Sequence, residues 1–248
     1  MKNMFDQSGK VALITGGSRG LGYEIAKAFA AQGADIVICS RKLEACAEAA
    51  REIEGMGRRA LAYACHMGHW NEIDGLVDAA YSAFGKVDIL VNNAGASPFT
   101  PTSLATSEEM MEKVLALNFK GPYRLSALVG SRMAAGEGGS IINISSVGSV
   151  IPRAHYGPYA GAKAALNAIT LAHAQEYGPK VRVNAILPGT FRTDISKSWP
   201  EDRDSKLQAA IPRYGEPEEI LTTALYLASS CSGYTTGAII RVDGGRRE

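Results

Sequence analysis

Short, continuously apolar runs alternate with longer stretches of helical period from one end of this sequence to the other, and that alternation restricts the fold more than any other feature. The runs Val11–Thr15, Asp35–Ser40, Ala60–Cys65, Ile89–Asn92, Ser140–Ile144, Val181–Ile186 and Ala238–Val242 have the length of strands. Between them, Leu21–Ala31, Leu43–Met56, Ile73–Phe84, Ser107–Met133, Tyr159–Tyr177 and Pro217–Ala228 read as amphipathic or largely buried helices. A strand that is apolar on both sides must be buried on both faces, and a parallel sheet covered by helices provides that burial. Right-handed crossovers then lead to a doubly wound α/β fold.

Nothing in the 248 residues breaks this pattern with a linker, a repeat or a change of composition, so residues 1–248 are expected to form one domain. The least regular stretch, at about 190–214, is polar with Trp199-Pro200 in its middle, and is expected to be a substrate loop. A net charge of +1 gives no footprint for nucleic acid or for an anionic membrane. No apolar run approaches the ~20 residues of a membrane-spanning helix. The residues after Met1 lack the apolar core of a secretory signal. Cys39, Cys46, Cys65 and Cys231 form no Cys-x-x-Cys pair and read as reduced thiols, so the expected compartment is the cytoplasm.

The first strand runs straight into Gly16-Gly17-Ser18-Arg19-Gly20-Leu21-Gly22 and then into a helix. Glycines here permit a tight turn and close backbone approach to a pyrophosphate, while the helix N-terminus offers free N–H groups. The order Gly-x-x-x-Gly-x-Gly differs from the commoner Gly-x-Gly-x-x-Gly of dinucleotide folds. At the end of the second strand a carboxylate would bind the 2′-hydroxyl of NAD. This chain has Ser40 and Arg41 instead, with Arg19 inside the turn. A carboxylate repels a 2′-phosphate and a guanidinium pairs with it, so NADP(H) is the expected cofactor.

Tyr159 and Lys163 stand four apart, on one face of a helix that Pro158 is suited to start. An ammonium beside a phenol favours the phenolate and is expected to lower its pKa toward useful acid–base work. Tyr23 and Lys27 repeat the spacing, where the plain reading is helix surface, and Tyr156 has only Ala160 at that distance. Context favours Tyr159. Upstream, Ser145-Ser146 closes a strand at the carboxyl edge, where doubly wound folds bind their ligands and a hydroxyl can donate to a carbonyl oxygen gaining charge. Asn92-Asn93-Ala94-Gly95 ends another strand at that edge, and Asn118 is a polar residue in a mostly apolar helical stretch.

Together with Pro188-Gly189 and the closing Val242-Asp243-Gly244-Gly245, these motifs resemble the short-chain dehydrogenase/reductase family, from about Lys10 to Gly245. The resemblance implies a single-domain Rossmann fold with a doubly wound seven-stranded parallel sheet, and a homotetramer. It implies Tyr159 as acid–base residue, Lys163 as its partner and a holder of the nicotinamide ribose, and Asn118 as holder of a water in a proton relay. Ser146, thirteen residues before Tyr159, would bond the substrate carbonyl in preference to Ser145. Gly16, Arg19, Gly20 and Leu21 would line the pyrophosphate and adenosine side, with Asn92, Ala94 and Gly95 beside the adenine ribose. Pro188, Gly189 and Thr193 would bracket the nicotinamide.

One position departs from the family pattern: Cys65-His66 stands where an aspartate commonly meets adenine. His66 and His69 suggest a metal pair, but no further ligands cluster near them in sequence, so no metal is expected. The expected activity is hydride transfer between NADP(H) and a small-molecule carbonyl or secondary alcohol, with a ketone or 3-oxoacyl reductase as the leading form. A non-catalytic NADP-binding sensor of the same fold and an alcohol dehydrogenase working mainly in the oxidative direction are the competing readings. Ser97, Phe99, Val147, Ile151, His155, Tyr156, Phe191 and Trp199 make an apolar candidate pocket, and Arg153 and Arg192 are the cations that an acidic substrate would meet.

Overall fold

The computed structural model describes residues 3–193 and 208–247. Seven strands form one parallel sheet in the order β3-β2-β1-β4-β5-β6-β7. They are β1 Val11–Thr15, β2 Asp35–Ser40, β3 Ala60–Ala64, β4 Ile89–Asn92, β5 Gly139–Ile144, β6 Val181–Pro188 and β7 Ile239–Val242. The helices are α1 Gly20–Ala31, α2 Leu43–Gly55, α3 Trp70–Phe84, α4 Glu108–Leu115, α5 Gly121–Ala135, α6 Gly157–Glu176 and α7 Glu218–Ala228. This is a Rossmann fold, with its strand order reversing between β1 and β4.

Successive strand residues feed two separate cores. Ile14, Ile36, Ile38, Val91, Ile142 and Ile186 pack with Ile25 and Phe29 of α1, Ile53 of α2 and Ile220 of α7. Their neighbours Leu13, Val37, Leu90, Ile141 and Val183 pack on the other face with Ile73 and Leu76 of α3, Leu125 and Val129 of α5, and Ala174 of α6. Each such side chain removed from water contributes about 1.5–3 kcal/mol, which is why both faces of every strand read as apolar.

Two departures from the sequence reading bear on function. The stretch expected as one helix over Ser107–Met133 is three pieces, because α4 and α5 are joined by a single π-helical turn, Ala116–Lys120, with Asn118 in its middle. Strand β6 also runs two residues further than expected, pairing Pro188 with Val242.

The turn after β1 is locked to the end of β4. Thr15 Oγ1 accepts from the backbone N–H groups of Asn93 and Ala94, each at 3.0 Å. Asn93 Nδ2 donates to the carbonyls of Thr15 at 2.9 Å and Gly16 at 3.2 Å. The space is filled: a Cβ on Gly22 would stand 2.3 Å from Asn93 Nδ2 and 2.6 Å from the Gly16 carbonyl. Gly16 and Gly20 have φ of 64° and 58°, which L side chains rarely adopt. Gly22→Ala is therefore expected to cost about 1–3 kcal/mol in urea unfolding, as overpacked sites do. Gly55→Ala, at a helix end with nothing within 4 Å of the added carbon, should gain up to about 1 kcal/mol in the same measurement.

Candidate active site

The carboxyl edge of the sheet gathers residues from four separate segments. Lys163, on α6, is buried to 3% exposure, and its Nζ donates to the Ile144 carbonyl at the end of β5, at 2.8 Å. Asn118 is fully buried in its π-turn. Its Nδ2 donates to the carbonyls of Ala96 and Val114, both at 3.0 Å, and its Oδ1 accepts from the Ala96 N–H at 3.3 Å. Gly95 is the common neighbour, since a Cβ there would stand 2.8 Å from Asn118 Oδ1 and 3.5 Å from Lys163 Nζ. A π-turn widens the helix locally and commonly marks a functional site.

Tyr159 lies one turn before Lys163, whose Nζ is 5.9 Å from the phenol ring centroid. Ser146 hydrogen-bonds the phenol, and its hydroxyl also accepts from the Gly148 N–H at 3.1 Å. Ser145 is buried and turned the other way, donating to the Lys163 carbonyl at 3.2 Å. The geometry therefore separates the two serines: Ser146 reaches the phenol and Ser145 braces α6.

The expected lowering of the Tyr159 pKa by Lys163 is not what the fold alone produces. Burial raises the phenol above its ordinary value, and the Ser146 bond offsets part of that rise. The lysine responds to the same desolvation, which lowers it to about 8. Both groups sit in a poorly solvated site, and desolvation opposes the charged form of each.

Asn92 ends β4. Its side chain is buried in the core, with Nδ2 donating to Ser126 Oγ at 2.9 Å and Asn143 Oδ1 at 2.8 Å. Asn143 Nδ2 continues the chain to Thr170 Oγ1 at 2.9 Å, tying β4, β5, α5 and α6 together beneath the site. The amide that faces the glycine turn belongs to Asn93. The signal that could have found it was its place one residue beyond the strand, on the opposite side from Asn92.

Ala94, Gly20 and Leu21 flank the turn, and a Cβ on Gly20 would be 3.9 Å from Thr193, which brings the segment after β6 over the helix start. Pro188 is buried, and Gly189 packs against Asp243 of the closing motif. Arg19 and Arg41 are exposed, and neither side chain forms an ion pair among the described residues. Ser40 Oγ is 3.0 Å from Cys46 Sγ. Tyr23 donates instead to Glu52, and Lys27 lies 4.6 Å from the Tyr23 ring centroid, so this second Tyr–Lys pair sits on the helix surface. His66 stacks on His69 at 4.2 Å, and His69 bonds Glu72 at 2.6 Å. Among the described residues no group of three or more His, Cys, Asp or Glu could hold a metal.

Of the apolar pocket residues, Phe99 stacks on His155 at 5.0 Å and meets Tyr156 edge-on at 6.0 Å. His155 has a φ of 72°, the one positive value outside glycine among the described residues. Thr100 clamps it through its N–H and hydroxyl, both donating to the His155 carbonyl. Such strain clusters at ligand sites because the surroundings must hold it in place. Phe191 is buried against Gly215, and Trp199 lies outside the described residues. Arg192 pairs with Glu216 at 3.0 Å.

Residues 10–204 match the family described as short chain dehydrogenase. The chain belongs to that family, and it is an oxidoreductase acting on an alcohol or ketone with a nicotinamide cofactor. It is 39% identical to an uncharacterized oxidoreductase of Mycobacterium tuberculosis, over 98% of this chain and 94% of that one. It is 34% identical, with a TM-score of 0.93, to the structure of 7α-hydroxysteroid dehydrogenase complexed with NADH and 7-oxo glycochenodeoxycholic acid, covering 99% and 98% of the two chains. L-Sorbose reductase from Gluconobacter frateurii, complexed with NADPH and L-sorbose, is also 34% identical, with a TM-score of 0.91 and 98% coverage of both.

The buried lysine makes a pH-dependent contribution to stability. Its folded pKa of about 8 lies below the ordinary 10.5, so the unfolded chain binds more protons between those values and stability from this group rises with pH there. Relative to Lys163→Met, the wild-type unfolding free energy should climb by about 3 kcal/mol across that window in urea titrations. A flat difference would mean that the ammonium is not desolvated.

Proposed function

We propose that this protein is an NADPH-dependent reductase of a small-molecule ketone. The observation that carries the reading is the convergence of Asn118, Ser146, Tyr159 and Lys163 at the sheet edge beside the glycine turn. A sensor has no need of a buried lysine and a phenol hydrogen-bonded to a serine. When bound, the dinucleotide supplies the hydride. Ser146 donates to the substrate carbonyl oxygen as charge builds on it, and Tyr159 gives that oxygen its phenolic proton. Lys163 holds the nicotinamide ribose and favours the phenolate once the proton has left, and Asn118 holds a water that returns a proton toward Lys163. In the oxidative direction the same groups act in reverse.

The chain's own residues fit the dinucleotide. Gly16 and Gly22 leave no room for a Cβ against Asn93, which keeps the backbone close to where a pyrophosphate would lie. Gly16, Arg19, Gly20 and Leu21 take that side, the backbone of Asn92 with Ala94 and Gly95 the adenine ribose, and Pro188, Gly189 and Thr193 the nicotinamide. Relatives are found with NADH and with NADPH, so the choice has to be read from Ser40, Arg41 and Arg19. Two guanidinium groups without a partner among the described residues, and no carboxylate at the end of β2, favour a 2′-phosphate. Residues 190–214 serve as the substrate loop of a single domain spanning 1–248. The assembly we propose is a homotetramer, with exposed Met111, Tyr123 and Leu171 on α4, α5 and α6 offering apolar contact area. The cytoplasm suits the buried thiols of Cys39, Cys46 and Cys65.

Assays with NADPH and a panel of ketones and 3-oxoacyl thioesters test the reading. Tyr159→Phe should abolish turnover and leave NADPH affinity within several-fold, and Tyr23→Phe should stay near wild type. Ser146→Ala should lose a hundredfold or more in kcat, the scale of deleting one oxyanion donor, and Ser145→Ala far less. Full activity of Tyr159→Phe would remove it from the mechanism.

For cofactor choice, kcat/KM with both dinucleotides and one ketone is the measurement. Arg41→Asp should turn the preference from NADP toward NAD, losing about ten- to a hundredfold with NADPH. Arg19→Ala should weaken NADP more than NAD without reversing the order. A wild type that already favours NAD would sink this reading of Ser40-Arg41.

A further inference from the structure

Beside the site, a cleft of about 300 Å³ lies between the segment leading into α6, the segment after β6 and the closing residues of the chain. Four arginines line it: Arg153, Arg213, Arg241 and Arg246. Two are satisfied within the fold. Arg213 makes two 2.7 Å bonds to Glu219, and Arg241 makes bonds of 2.9 and 2.7 Å to Asp243. The side chains of Arg153 and Arg246 form no hydrogen bond or ion pair among the described residues. Asp243, the carboxylate that attracts Arg246, is already engaged: it takes both Arg241 bonds and the Gly245 N–H at 3.0 Å, and its side chain is only 4% exposed. Arg246 is half-buried, and its guanidinium is held below its ordinary value by desolvation first and by Arg153 second.

Two like charges face one cleft with no hydrogen-bonded or ion-paired carboxylate among the described residues, and the attraction of Asp243 offsets only part of the desolvation and repulsion felt by Arg246. An external anion would offset the remainder. The cleft is lined by segments that continue directly from residues of the site. Arg153 lies between Ser146 and Tyr159 in the chain, and the wall residues Thr190 and Phe191 follow directly on Gly189. Phe191, Ile211 and Val242 give the same cleft an apolar side suited to a short carbon chain. We propose that Arg153 and Arg246 form a clamp for a carboxylate at the far end of the substrate, so that the enzyme works on an oxo acid in preference to a neutral ketone. This rests on the reductase reading and names the substrate class of that same site. Arg192, the other cation singled out in the sequence, pairs with Glu216 and is not part of the clamp.

Calorimetric titration of the NADP-bound protein with hexanoate and with hexanamide separates the clamp from catalysis. Hexanoate should bind more tightly than the amide. Arg153→Gln and Arg246→Gln should each weaken hexanoate by about ten- to a hundredfold and hexanamide by far less. Arg213→Gln, whose partner is Glu219, should leave the ratio of the two affinities unchanged, and melting temperatures confirm that each variant folds. In turnover, 5-oxohexanoate should outperform its methyl ester, and the clamp variants should lose that advantage mainly through KM. Equal binding of hexanoate and hexanamide, or hexanoate binding indifferent to both substitutions, overturns the clamp. Hexanoate binding that behaves as expected, with no ketone reduced, overturns the reductase reading alone. Reduction of the ester without preference for the oxo acid overturns the clamp alone.

Discussion

Everything at the working edge of this molecule depends on how closely the turn after β1 meets the end of β4. The two strands are neighbours where the strand order reverses, so the chain leaves them in opposite directions and opens a crevice. Thr15 Oγ1 closes the base of that crevice by accepting two backbone N–H groups, and Asn93 returns two bonds to carbonyls of the turn. The contact tolerates no side chain at Gly16 or Gly22. It fixes where the N-terminus of α1 points and, through Ala94 and Gly95, how near the backbone comes to Asn118 and Lys163.

Beneath that edge, polar groups that would be costly if unpaired are joined across elements. Asn92, Asn143, Ser126 and Thr170 link two strands to two helices, and Lys163 hangs α6 from the last carbonyl of β5. Buried amides lose several kcal/mol of solvation unless they find such partners, so the network has few ways to rearrange. Its rigidity has an electrostatic consequence. Tyr159 and Lys163 are held in a poorly solvated environment that raises one pKa and lowers the other, which puts the phenol above the amine in proton affinity, the reverse of their order in water.

The arginines show how the fold sorts residues that look alike in sequence. Arg213 and Arg241 find carboxylates a few residues away, at Glu219 and Asp243, and Arg192 finds Glu216 from the next segment of the fold. Arg19, Arg41, Arg153 and Arg246 find none among the described residues, and all four lie at the turn, at the end of β2 or in the cleft beside the site. Unpaired cations on these surfaces, in a chain of net charge +1, mark places where an anion would be welcome.

The sequence by itself determined the layered sheet, because strands buried on both faces must be apolar throughout and that property is visible without coordinates. The glycine turn, the Tyr159–Lys163 face and the serine pair were legible for a similar reason, since each rests on spacing within one element or one turn. Only the tertiary structure decided between neighbours. It put Asn92 in the core and Asn93 at the crevice, turned Ser145 toward α6 and Ser146 toward the phenol, and broke the helix at Asn118 into a π-turn. It also reversed the expected direction of the Tyr159 shift, because desolvation depends on everything packed around a group while a four-residue spacing reports one charge. Pairing across the sheet and the solvent left around each atom are set by residues distant in sequence, so they enter only when the chain has folded.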